Sequence, residues 1–180
     1  NATLFYNKKN LQTLRSEAVY KHQINSPERS DQLVYEEVDE TYSVYVTSSK
    51  SRKYIFISSQ STTTSEYRFI KSDEPEAEFK IIQPRTSGLE YDVAHFGDHF
   101  YLHTNLNQAN NFQIMRTTVE HTTTEFWEPL LQHRKEVLVE DFELFDQYWV
   151  VNERENGLSR LRILRWDQSE DYYLNVEQES

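Results

Sequence analysis

No cysteine occurs among the 180 residues of this chain. That excludes disulfides, zinc–thiolate sites and thiol nucleophiles. Glycine is nearly as scarce, with Gly88, Gly97 and Gly157 the only ones. No two of them are four apart. The G-x-S-x-G elbow that presents the nucleophile of an α/β-hydrolase is therefore absent. The same spacing excludes the G-x-G-x-x-G and P-loop phosphate cradles. No apolar run approaches the length of a membrane span. No stretch reads as a secretory signal, so a cytoplasmic location is the expectation. Basic residues are too few to balance the acids. The 19 Lys and Arg face 30 Asp and Glu, for a net charge of −11. That argues against nucleic acid, whose phosphates need a basic patch. It argues equally against an anionic membrane surface, and it favours cationic partners by steering.

Aromatic residues are what the chain has instead. It carries 12 Tyr, 10 Phe and 3 Trp at a mean hydropathy of −0.82. Aromatic and Thr-rich sequence with little glycine suits a pleated, half-buried surface. Short alternating runs extend from Thr3–Tyr6 to Leu158–Leu164, broken by polar residues about every 8–12 positions. The single helical candidate, Glu125–Arg134, contains Pro129 and predicts at most a short turn.

The runs repeat. "YIFISSQSTTTSEYRFI" (Tyr54–Ile70) aligns without a gap on "FYLHTNLNQANNFQIMR" (Phe100–Arg116) at an offset of 46. "YWVVNERENGLSRLRIL" (Tyr148–Leu164) has the same form of strand, polar loop and strand. Anchors at Phe5, Tyr54, Phe100 and Tyr148 lie 49, 46 and 48 residues apart. A period in the high forties with about four strands per unit is the mark of propeller blades. The sequence therefore predicts an all-β fold, a partial β-propeller of about three to four four-stranded antiparallel blades.

Several features invite a chemical reading. "HFGDHFYLH" (His95–His103) has three histidines at four-residue spacing, which on a helix would share one face. Gly97-Asp98 instead suits a two-residue II′ hairpin loop, pairing Phe96 with His99 and His95 with Phe100. Alternation then puts His99 and His103 on the face opposite His95. The acidic runs Glu36–Glu40 and Asp73–Glu78 lack the calcium-loop spacing and read as solvated loops. Tyr42, Tyr45, Tyr54, Tyr67, Tyr91, Tyr101, Tyr148 and Trp149 lie in predicted strands and read as core between blades. Arg85 follows a proline at a strand end, and of a salt bridge to another domain and an exposed ion pair within the propeller, the second is the reading taken. Arg85, Glu90 and His95 are not read as sites. No catalytic, cofactor-binding or metal-binding residue is predicted.

The run "DQLVYEEVDETYSVYVTSSKSRKYIFISSQSTTTSEYRFI" (Asp31–Ile70) carries a family resemblance. So do "GLEYDVAHFGDHFYLHTN" and "WVVNERENGLSRLRIL". These stretches resemble the propeller of the oligopeptidase B (protease II) branch of the prolyl oligopeptidase family of serine peptidases. The resemblance implies a seven-bladed propeller paired with an α/β-hydrolase domain bearing a Ser-Asp-His triad. It implies cleavage of short peptides after Arg or Lys, with the propeller gating entry. Residues 1–180 then form a fragment of the N-terminal propeller, and the hydrolase domain is absent from the chain. The expected partners are that hydrolase domain and short basic peptides. No cofactor is implied. An open arc exposes strand edges and apolar faces, so self-association through the terminal blades is also expected. Two other readings remain: a non-catalytic propeller-like scaffold for protein interaction, and a two-sheet sandwich binding sugar through surface aromatics.

Overall fold

The computed structural model describes residues 2–174. They form four separate antiparallel sheets. The first has three strands: β1 (Thr3–Lys9), β2 (Ser16–Gln23) and β3 (Gln32–Glu36). The second comprises β4 (Ser43–Ser48), β5 (Tyr54–Gln60), β6 (Ser65–Lys71) and β7 (Lys80–Ile81). The third comprises β8 (Tyr91–Phe96), β9 (His99–Thr104), β10 (Gln113–Thr118) and β11 (Glu128–Leu131). The fourth comprises β12 (Val137–Leu144), β13 (Tyr148–Glu155), β14 (Leu158–Arg165) and β15 (Asp171–Tyr173). Within each sheet the strands pair in chain order, as in propeller blades. The repeat anchors fall where a blade repeat demands. Tyr54 and Tyr148 open the second strand of their sheets, and Phe100 is the second residue of its own. Phe5 lies in β1, which thereby takes the second-strand place in the first sheet.

The core is divided by interface, because both faces of a middle blade are covered. Val19, Val44 and Ile57 pack between the first and second sheets. Tyr54, Phe56, Phe69, Tyr91, Phe100 and Leu102 lead the cluster between the second and third. Tyr101, Ile114, Val139, Trp149 and Val151 lead the one between the third and fourth. Period-two alternation produces this split. Along β9, Phe100 and Leu102 face one neighbour and Tyr101 faces the other. Phe100 is fully buried, with its ring edge-on to Tyr54, Phe56 and Phe69 at 5.0–5.7 Å. Three sequential cores between four sheets exclude the two-sheet sandwich, which would have a single core.

Two expectations need correction. Glu125–Arg134 is neither helical nor a mere turn. A short 3-10 turn at Thr124–Phe126 leads into the edge strand β11. Pro129 lies in that strand opposite Met115, and an edge position tolerates a residue with no N–H to donate. Of the aromatics assigned to the core, Tyr45 is 49% exposed, and Tyr42 and Tyr148 are half-buried. The first sheet has three strands among the described residues and stands beside three four-stranded ones, in line with the expected three to four blades.

Candidate functional site

The histidine stretch is a hairpin in the expected register. His95 pairs with Phe100, and Phe96 with His99. Gly97 supplies the positive φ of +61° that the tight turn requires. His95 turns toward the second blade, where its ring lies 4.6 Å from that of Tyr54 and Nδ1 meets Ser51 Oγ at 2.8 Å. Burial, reinforced by the Lys53 charge, holds the His95 imidazole below its usual pKa. His103 turns the other way. Its Nε2 bonds the Val139 carbonyl of the fourth blade at 2.8 Å, and its ring stacks on Phe112. The imidazoles thus tie one blade to its two neighbours.

Two other hairpins converge on this one. The β4–β5, β8–β9 and β12–β13 turns surround a cavity of about 840 Å³, whose walls include Phe56, Val93, Phe96, Phe145 and Tyr148. Lys50, at the tip of the β4–β5 hairpin, spans the opening. Its Nζ donates to Glu143 Oε1 at 2.7 Å and to the Leu144 carbonyl at 2.9 Å, and stands 3.8 Å from the Phe145 ring centre. The hairpin holding Lys50 is fixed by its own serines. Ser49 Oγ accepts from the Tyr54 N–H at 3.0 Å, and Arg52 takes the left-handed conformation at φ +58°. On the far side Phe96 stacks on Trp166 at 5.4 Å and 7°. The walls are largely apolar, and the lining also carries Lys50, Lys53, Glu143 and Asp146, with the Lys50–Glu143 pair across the opening.

Buried charge clusters secure the blades behind it. Glu37, only 5% exposed, lies between the first and second blades. Its Oε2 accepts from Arg85 Nη2 at 2.5 Å, Ser59 Oγ at 2.6 Å and Tyr35 Oη at 2.8 Å, while Oε1 accepts the Asp39 N–H at 3.1 Å. Burial alone would push this carboxyl up. Hydrogen bonds from Arg85, Ser59, Tyr35 and Asp39 outweigh it and bring the pKa down to about 2. This corrects two expectations. The Glu36–Glu40 run is not wholly a solvated loop, and Arg85 pairs within the propeller but with a buried acid. Its guanidinium also covers the Tyr42 ring at 3.6 Å. Glu90 accepts a hydrogen bond from Asn105 Nδ2 at 3.2 Å. An analogous cluster sits in the fourth blade. Glu153, 1% exposed, pairs with Arg134 and accepts from Tyr173 Oη at 2.8 Å.

Sequence reasoning missed Lys50, Glu143 and Phe145. The only local signal was the basic hairpin "SKSRK" in a chain of net charge −11. The contact joins residues 93 positions apart, which no local pattern reveals. The sequence has no G-x-S-x-G nucleophile elbow.

The comparisons agree with this architecture. Residues 1–178 match the family model described as prolyl oligopeptidase, N-terminal β-propeller domain. Dipeptidyl aminopeptidase BI of Pseudoxanthomonas mexicana is 39% identical over 170 residues, which is 94% of this chain and 23% of that protein. Protease 2 of Moraxella lacunata is 30% identical over 146 residues, 81% of this chain and 21% of that protein. Oligopeptidase B from Trypanosoma brucei, solved in a closed form with covalently bound antipain, superposes with a TM-score of 0.91 at 25% identity. That match covers 98% of this chain and 26% of the other. The chain therefore spans about a quarter of the length of the relatives it matches. It belongs to the N-terminal β-propeller domain family of the prolyl oligopeptidases.

Proposed function

We propose that the protein containing this chain is a serine oligopeptidase of the oligopeptidase B type. The blades act by exclusion and positioning, and a separate α/β-hydrolase domain performs acyl transfer through its triad. The observation that carries this reading is the blade arc itself. Residues 1–178 match the propeller domain of this peptidase family, and the sequence carries no G-x-S-x-G elbow. Short peptides cut after Arg or Lys are the proposed substrates. The net charge of −11 supports that choice by drawing cations toward the channel. The test is kcat/KM of the whole protein on matched peptides carrying Lys, Arg or Gln before the scissile bond, at low and high salt. Lys and Arg peptides should be preferred, and the preference should weaken as salt screens the field. Equal rates on Gln peptides, or rates indifferent to salt, would count against it.

A second reading has support in one observation: the 39% identical relative is named a dipeptidyl aminopeptidase. Such an enzyme needs a free α-amino group two residues from the cut. An N-acetylated peptide separates the two. It is cleaved by an endopeptidase and spared by an enzyme that removes dipeptides. A whole protein inactive on both kinds of peptide would instead favour the non-catalytic scaffold, since fold alone does not fix function.

A further inference from the structure

Lys50 belongs to the second blade, yet the partners of its ammonium belong to the fourth. Among the described residues, this is the only ion pair that joins blades that are not neighbours. The ammonium rests against a carboxylate oxygen at 2.7 Å, a carbonyl oxygen at 2.9 Å and an aromatic face at 3.8 Å. Those three features together recognise a cation. The cradle is built by the β12–β13 turn, whose Phe145 N–H bonds the Tyr148 carbonyl at 2.8 Å. Lys50 occupies it as an internal ligand.

The occupancy is exchangeable. The side chains of Lys50 and Glu143 are 55% and 56% exposed, and Phe145 is 45% exposed. Pairs this open hold weakly and are screened by salt. Simple opening would leave the carboxylate and ring face without a partner. Replacement by another cation would not, so an incoming cation lowers the cost of opening. A guanidinium suits the cradle better than an ammonium. It can offer two parallel N–H groups to one carboxylate and lay its plane on the ring. The adjoining cavity of about 840 Å³ has room for the chain that carries it.

We propose that the Glu143–Leu144–Phe145 cradle docks a Lys or Arg side chain of a basic peptide at the channel mouth, with Lys50 as its built-in competitor. Lys50 moves to solvent as the peptide cation enters. This rests on the reading of the whole protein as a peptidase for basic peptides.

The test uses the whole protein and a fluorescent all-D tetra-arginine amide, which peptidases do not cleave. Removing the competitor in Lys50→Gln should tighten binding about three- to thirtyfold, the combined strength of an exposed ion pair and one cation–π contact. Adding Glu143→Gln to that variant should abolish the gain, and adding Phe145→Leu should reduce it. An all-D tetra-citrulline probe, isosteric but neutral, should bind all variants alike. Unchanged or weaker binding by Lys50→Gln, with its melting temperature intact, overturns the proposal. So does a gain that survives Glu143→Gln. A wild-type protein that hydrolyses no peptide, yet shows the Lys50→Gln gain, sinks the peptidase reading and leaves the cradle standing.

Discussion

Replacing Arg85 by Met probes how the blades are held together. Glu37 is almost fully buried between the first two blades, and Arg85 is its one cationic partner. In the folded chain its pKa falls from 4.5 to about 2. At about 1.4 kcal/mol per unit, the donors favour the charged form by about 3 kcal/mol net of the cost of burial. Removing one member of a buried pair costs roughly 3–5 kcal/mol when nothing else satisfies the charge. Here Ser59, Tyr35 and the Asp39 N–H remain. Arg85→Met should therefore cost less, about 1.5–3 kcal/mol. Urea denaturation followed by tryptophan fluorescence at pH 7 reads this directly. The pH dependence has a definite sign. The folded carboxyl binds its proton more weakly than the unfolded one, so its stabilisation is complete above the ordinary carboxylate range. It is lost as pH falls from about 4.5 toward 2. Glu37→Gln should remove that part of the acid sensitivity. An Arg85→Met variant within about 0.5 kcal/mol of wild type would refute the reasoning. So would a Glu37→Gln variant with an unchanged acid transition.

Other outcomes follow from the same contacts. Phe100→Ala empties the centre of the cluster between the second and third blades and should cost about 3–5 kcal/mol. Phe100→Leu should cost under about 1.5 kcal/mol, as thermal melts can show. Gly97→Ala meets no atom within 4 Å, so its cost should come from the positive φ alone, about 1–2 kcal/mol. A melting temperature equal to wild type would contradict that. By itself the 180-residue chain should self-associate, since Leu4 and Leu33 on its first sheet and Leu161 and Tyr172 on its last are 37–51% exposed. Sedimentation should show weight-average mass rising with concentration, and Leu33→Lys with Leu161→Glu should suppress the rise. A monomer at every concentration would refute it.

The parts of this fold that were legible in the sequence are those written in local register. The blade period survived because Tyr54, Phe100 and Tyr148 each mark the same strand of a repeated unit. The His95–His103 hairpin was legible because a glycine at a turn and period-two alternation fix every pairing in it. Short edge strands were harder. β11 hides behind a proline that only an edge tolerates, and the three residues of β15 are too few to show alternation. Of the charged contacts, only an ion pair at Arg85 was legible, and neither its partner nor its burial was. Glu37 and Arg85 lie 48 positions apart, and Lys50 and Glu143 lie 93 apart. Each residue looks like one more solvated charge until the blades bring its partner beside it. Tyr45 erred in the opposite direction, since aromatic character predicted burial where the sheet leaves it open.

The division of labour between blades and hydrolase is tested most directly by one assay. The 180-residue chain and the whole protein would be given the same Arg-containing peptides, lengthened stepwise from a few residues to a folded domain. The account predicts no turnover by the chain at any length. It predicts hydrolysis by the whole protein that stops once the substrate is too large to pass the blades. Turnover by the chain alone, or equal cleavage of short peptides and folded domains by the whole protein, would contradict it.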